Sequence, residues 1–186
     1  MPELWTIGHG TVPLAEFVAY LERARIARLV DVRRFPSSRR NPQFAAAELE
    51  RALTAAGIAY ERAETLGGRR RAPADSPNRG LRNDGFRGYA DWMGTDAFRR
   101  AFAELTAAAA RERTAVMCAE TPWWKCHRRL IADAAVLLGG FSVTHLIKDK
   151  EIPHALTGGV IVDAGGRLAY PPPAEEFDPA SPPVLP

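Results

Sequence analysis

Two cysteines and their neighbours hold the densest chemistry in this chain. They are Cys118-Ala119-Glu120 and, a short loop later, Cys126-His127-Arg128. A thiol acts as nucleophile or metal ligand only as its thiolate, which nearby cations or a helix N-terminus favour. Lys125, Arg128 and Arg129 supply such cations. Cys118 is therefore read as a candidate nucleophile, with Glu120 and His127 as candidate acid or base groups. Cys126 and Arg128 are candidates for binding an anionic substrate. Other readings of the same residues stay open. Cys118, Cys126, His127 and a distant His9 offer the donors zinc takes, although the spacing is not Cys-X-X-Cys. Cys126 and His127, if both on one helix, would seldom reach one ion. Both cysteines can equally be small side chains that only pack. Glu120 can sit in an ion pair with Arg33 or Arg128. No cofactor is expected, and zinc is the alternative.

These residues need elements that bring them together. Trp5-Thr6-Ile7-Gly8 reads as a strand running into a turn at Gly8-His9-Gly10, and Leu14, Phe17, Val18 and Leu21 follow at helical spacing. Residues 26–32 form an apolar strand ending at Asp31-Val32-Arg33, and residues 44–56 an amphipathic helix stopped by Gly57. Ile58-Ala59-Tyr60 is a third strand. Residues 98–110 read as a helix, 114–118 as a strand, 130–138 as a helix and 141–147 as a last core strand. Residues 160–163 pair with 168–170 as a small hairpin. The alternation predicts an α/β fold: a mostly parallel sheet flanked by helices, a Rossmann-like three-layer sandwich. Residues 1–170 form this single domain. Residues 171–186 are a proline-rich tail expected to be disordered.

In parallel sheets, ligands bind beyond the carboxyl ends of the strands. That rule gathers His9, Asp31, Arg33, Cys118 and Glu120 on one rim, since each follows a strand. His9, between two glycines, joins the candidate catalytic residues. Asp31 and Arg33 join the candidate substrate-binding ones. Residues 64–88 hold Gly67, Gly68, Pro73, Pro77, Gly80, Gly85 and Gly88 with little hydrophobic periodicity. They read as a long loop, and the sequence leaves open whether it is a mobile lid.

The net charge is +3, and lysine occurs only at 125, 148 and 150, so the cations are mostly arginine. A guanidinium can fork two hydrogen bonds onto a carboxylate or phosphate. The segments Arg33-Arg34, Arg39-Arg40 and Arg69-Arg70-Arg71, with Arg79, Arg82 and Arg87, can form a phosphate-binding rim. Phe86, Tyr89, Trp92, Trp123 and Trp124 can stack bases. The plain alternative is a solvated basic face. No apolar run is long enough to span a membrane, and Met1-Pro2-Glu3-Leu4-Trp5 lacks the basic and apolar run of a signal peptide, so none is expected. The expected location is cytoplasmic, where a structural disulfide is disfavoured.

Two resemblances bear on function. The order of elements is loosely similar to rhodanese-like proteins, but the loop after Cys118 carries Pro122, Trp123 and Trp124 instead of a short glycine-rich turn. The fuller resemblance covers roughly residues 4 to 150. It runs through Thr6-Ile7-Gly8-His9, Leu29-Val30-Asp31-Val32-Arg33 with Pro36 and Ser38, Gly57-Ile58-Ala59-Tyr60, Leu66-Gly67-Gly68, and Met117-Cys118-Ala119-Glu120 with Cys126-His127-Arg128. Together these resemble the domain of unknown function 488 family. Gly10 departs from it, since the family commonly has Ser there. The resemblance implies an α/β fold, marks the motif residues (Ser38 among them) as site candidates, and assigns no reaction. Some members are labelled as DNA-repair proteins, which raises nucleic acid as a partner.

The expectation is an enzyme acting on a phosphate-bearing substrate, a nucleotide or nucleic acid. Its residues are Cys118, Glu120, His127 and His9 for chemistry, and Asp31, Arg33, Ser38, Arg69, Cys126 and Arg128 for the substrate. A non-catalytic nucleic-acid or DNA-repair module, and a structural or metal-binding Cys/His cluster, are the alternatives.

Overall fold

The computed structural model describes residues 1–36 and 40–173. Ser38 and residues 174–186 of the tail lie outside them. Five parallel strands, β1 (Glu3–Gly8), β2 (Arg28–Asp31), β3 (Ala59–Arg62), β4 (Thr114–Cys118) and β5 (Ser142–Ile147), pair in the order β3-β2-β4-β1-β5. An antiparallel edge strand, β6 (Lys150–Pro153), completes the sheet beside β5. A separate hairpin joins β7 (Ile161–Val162) to β8 (Leu168–Ala169).

The helices cover both faces, and strand alternation sorts the side chains between them. Trp5, Ile7, Leu29, Ala115 and Met117 pack under α1 (Leu14–Arg23) and α2 (Ala46–Ala55), with Phe17, Leu21, Leu49 and Leu53. Leu4, Val30, Val116 and Cys118 point to the opposite face. There they meet α3 (Asp84–Met93), α4 (Asp96–Ala109) and α5 (Arg128–Leu137) through Tyr89, Phe98, Leu105, Leu130 and Ile131. Strands buried on both faces explain the near-continuous apolar runs in the sequence. The expected three-layer α/β sandwich is the observed one.

Two elements differ from the sequence reading. Residues 64–88 are not one loop: a 3-10 turn spans Glu64–Leu66 and α3 starts at Asp84, capped by the Asn83 side chain accepting from the Phe86 N–H. The glycines that masked α3 have a packing reason, for a Cβ on Gly88 would sit 2.5 Å from the Arg71 carbonyl carbon. The intervening segment is pinned, not draped. Ser76 and Asn78 donate to Asp91 at 3.0 and 2.7 Å, and Asn78 accepts from the Tyr170 N–H at 2.9 Å. The second difference is β6, whose polar Lys150-Glu151 sequence carried no strand pattern. It forms because the turn at Lys148 (φ 57°) folds the chain back along β5.

Candidate active site

The parity of the strands divides the C-terminal rim into two halves. His9 follows β1 on the α1/α2 side, stacked on Phe44 with ring centroids 4.2 Å apart. Asp31 and Arg33 lie beside it. Arg33 holds Asp31 through Nε and Nη2, at 2.9 and 2.7 Å, and reaches His9 Nε2 at 3.3 Å. Tyr60 donates to the same carboxylate at 2.8 Å. Burial disfavours charge on Arg33, but its pairing with Asp31 raises its pKa above the ordinary value. Burial, then the Arg33 charge, hold His9 down at about 4, against the pull of its hydrogen bond to the Gly10 carbonyl. These candidates are thus brought together, but Asp31 and Arg33 neutralise each other. Gly10 has φ 53°, and a Cβ there would meet Thr121 Oγ1 at 2.1 Å. A side chain at this position meets a strained backbone and requires Thr121 to move.

The thiols form the other half. β4 ends at Cys118, which faces the α3–α5 layer. The loop 119–125 contains a 3-10 turn, Trp123–Lys125, and ends at Cys126 in extended conformation (φ −126°, ψ 150°). Cys126 therefore precedes the helix instead of lying on it. That removes the geometric objection to Cys126 and His127 sharing one locus. Both cysteines are free, and their sulfurs stand 2.6 Å apart. Cys126 Sγ lies 3.6 Å from His127 Nδ1 and accepts from the Arg128 N–H at 3.5 Å, at the mouth of α5. Ligand atoms of Cys118, Cys126 and His127 fall within 4.8 Å of one another. His9 is not among them, so the four-residue metal set is a three-residue one here.

Electrostatics separate the two thiols. Cys118 is raised to about 12, first by its hydrogen bond with Cys126 and then by burial. Burial also pushes Cys126 up, but the Cys118 hydrogen bond, the Arg128 charge and the Arg128 N–H outweigh it and bring it to about 6. The contact thus favours the proton on Cys118 and the thiolate on Cys126. Sequence reasoning favoured Cys118 as nucleophile because it ends a strand. It could not see which thiol faces the helix N-terminus.

Arg128 organises this region and is itself 1% exposed. Its guanidinium donates to the Glu120 carbonyl, to the Thr121 carbonyl at 3.4 Å and to Thr6 Oγ1 at 3.2 Å. It positions the loop and is not presented to solvent. Glu120 is exposed, and Arg128 grips its backbone, not its carboxylate. The expected ion pair between Glu120 and Arg33 or Arg128 is not formed.

Above the thiols opens a cavity of about 310 Å³ whose lining includes Cys118, Cys126 and His127, the cations Arg33, Arg34, Arg69 and Lys125, the acidic Glu120, and Phe35 and Phe86. Arg34 and Arg69 flank Phe35 with guanidinium carbons 5.6 and 5.8 Å from its ring centre. Arg34, Arg69 and Lys125 have no carboxylate partner among the described residues. Of the aromatics read as base-stacking candidates, Tyr89 is fully buried, Trp123 stacks on His145 at 4.1 Å, and Arg70 covers Trp92 at 3.9 Å. Trp124 is exposed.

One cluster escaped the sequence reading. Thr6 Oγ1, His145, His154, Asp133 and Tyr170 form a continuous buried chain, with successive distances of 2.7, 2.9, 2.9 and 2.9 Å. A histidine inside the apolar strand 141–147 was its only signal. Its partners, Asp133 on an apolar helix and His154 past the edge strand, are scattered in sequence.

The fold and rim define a parallel α/β protein with a thiol site at the carboxyl ends of its strands. The chain belongs to the family described as domain of unknown function DUF488, whose model matches residues 13–135. No curated protein and no solved structure matches it. No helix among the described residues is long and apolar enough to cross a membrane.

Proposed function

We propose that this chain is a thiol-dependent enzyme for a small phosphate-bearing substrate, a nucleotide or the end of a nucleic acid. The observation that carries the reading is the Cys126 sulfur, in contact with Cys118 at the mouth of α5, lining a cavity where Arg34, Arg69 and Lys125 outnumber the one unpaired carboxylate among the described residues there, Glu120. Arg34, Arg69 and Lys125 hold the anion, and Phe35 and Phe86 offer faces for a base. Cys126 gives its electron pair to the electrophilic centre. Cys118 holds the thiolate by hydrogen bond before attack. His127, beside Cys126, is placed to hand a proton to the leaving group. Glu120 stands on the exposed edge, where it can serve a second proton transfer. His9, on the other half of the rim, acts through Arg33 and is a positioning residue.

A pair of alkylating reagents tests the anion preference. Iodoacetate carries a charge and iodoacetamide does not. Cys126 should favour iodoacetate more than free cysteine does, and pyrophosphate or a nucleoside monophosphate should slow its modification. Equal preference with no protection contradicts the reading. A binding-only module rests on the exposed Phe35 between Arg34 and Arg69. It predicts salt-sensitive nucleic-acid binding that Cys126→Ala leaves unchanged.

A further inference from the structure

The two sulfurs are in direct contact, with either able to donate to the other. Two thiolates on one tetrahedral zinc, each about 2.3 Å from the metal, stand roughly 3.8 Å apart. Here the separation is 2.6 Å. A metal-ligating histidine also hands its second nitrogen to an acceptor. With Nδ1 turned to Cys126, His127 Nε2 is buried without a hydrogen-bond partner among the described residues. This donor set does not fit zinc without rearrangement. Only about half an ångström separates the sulfurs from bonding distance.

We propose that Cys118 and Cys126 are a redox-active dithiol that reduces small hydroperoxides and closes to an intramolecular disulfide. The inference shares with the proposed function the thiolate on Cys126, but needs no phosphate-bearing substrate. The cavity above the sulfurs admits a small molecule. Cys126 Sγ attacks the distal oxygen of ROOH, the O–O bond breaks, and RO⁻ leaves and takes a proton from solvent to become ROH. Cys126 is now a sulfenic acid, oxidised by two electrons. Cys118 Sγ then attacks Cys126 Sγ, the S–O bond breaks, and the departing hydroxide takes the Cys118 proton to give water. Cys118 Sγ already lies against Cys126 Sγ at 2.6 Å, so the resolving thiol is in place for the second step. An external thiol, such as dithiothreitol, returns the disulfide to two thiols.

Hydrogen peroxide added to the reduced full chain, followed by thiol blocking and non-reducing peptide mapping, tests this. The expected product is a Cys118–Cys126 linked peptide pair, one per peroxide consumed. Cys118→Ala should stop at a Cys126 sulfenic acid that dimedone traps, and Cys126→Ala should form neither product. Wild-type protein that yields Cys126 sulfinic acid without the linked peptides overturns the proposal. So does peroxide consumption no faster than that of free cysteine. The wild-type result decides even if a variant folds poorly. Linked peptides without iodoacetate preference would sink the phosphate-bearing substrate and leave the dithiol. Iodoacetate preference without linked peptides would do the reverse.

Discussion

Two polar clusters meet at Arg128, and they are built on opposite terms. On one side the Thr6–His145–His154–Asp133–Tyr170 chain is sealed. Asp133 alone accepts from Tyr170 and from the Thr157 N–H, each at 2.9 Å, besides bonding His154. His145 is covered by Trp123. On the other side the thiols and His127 face a cavity, and Arg34, Arg69 and Lys125 around it lack carboxylate partners among the described residues. A buried polar group with all partners supplied stabilises and specifies a fold. One whose partners are missing but whose cavity is open is set up for a ligand. The titratable residues alone would make both clusters look catalytic. Hydrogen-bond saturation tells them apart.

That contrast makes its largest prediction at Asp133. Asp133→Ala leaves the His154 ring, the Tyr170 hydroxyl and the Thr157 N–H without their acceptor. It should cost about 3–5 kcal/mol in urea unfolding. A loss below about 1 kcal/mol would break the view of this cluster as structural. Cys126→Ala should instead abolish thiol reactivity while lowering stability by no more than about 1–1.5 kcal/mol. If it unfolds the chain, Cys126 was packing.

The sealed side, and His9 on the Arg33 half of the rim, should also respond to acid. Burial holds His145 at about 3, with the charges of His154 and Arg128 adding to the shift, and burial holds His9 at about 4, both below the ordinary 6.5. The unfolded chain takes up protons near 6.5 that the folded chain refuses until about 4 and 3. Stability present above 6.5 is therefore lost progressively as the pH falls towards those values. Urea midpoints that stay flat or rise between pH 6.5 and 4 would contradict this. The smallest effect on stability belongs to the open side. Arg69→Ala and Lys125→Ala should change it by less than about 0.5 kcal/mol, yet each should lower the iodoacetate preference of Cys126 several-fold. An unchanged preference would remove them from the anion site.

The layered fold was legible because the strands are buried on both faces and alternate with amphipathic helices. The rim rule then located His9, Asp31, Arg33 and Cys118 correctly at strand ends. It could not divide them, because the parity that sends His9 to one side and Cys118 to the other depends on exact strand registers. Arg128 read as a residue for the anionic substrate, since nothing local shows that the loop carbonyls of Glu120 and Thr121 wrap it. The sealed cluster was illegible for a related reason. Thr6, Asp133, His145, His154 and Tyr170 come from four separate stretches of chain and meet only once the sheet is assembled.

The central claim is that the two neighbouring thiols differ in charge, and the pH dependence of alkylation at each cysteine tests it most directly. The native protein is reacted with iodoacetamide across pH 4 to 10, and each site is read by peptide mass mapping. The account predicts a Cys126 midpoint near 6 and a Cys118 that stays protected throughout that range. Two cysteines titrating together near the ordinary 9.0, or Cys118 reacting first, would contradict it.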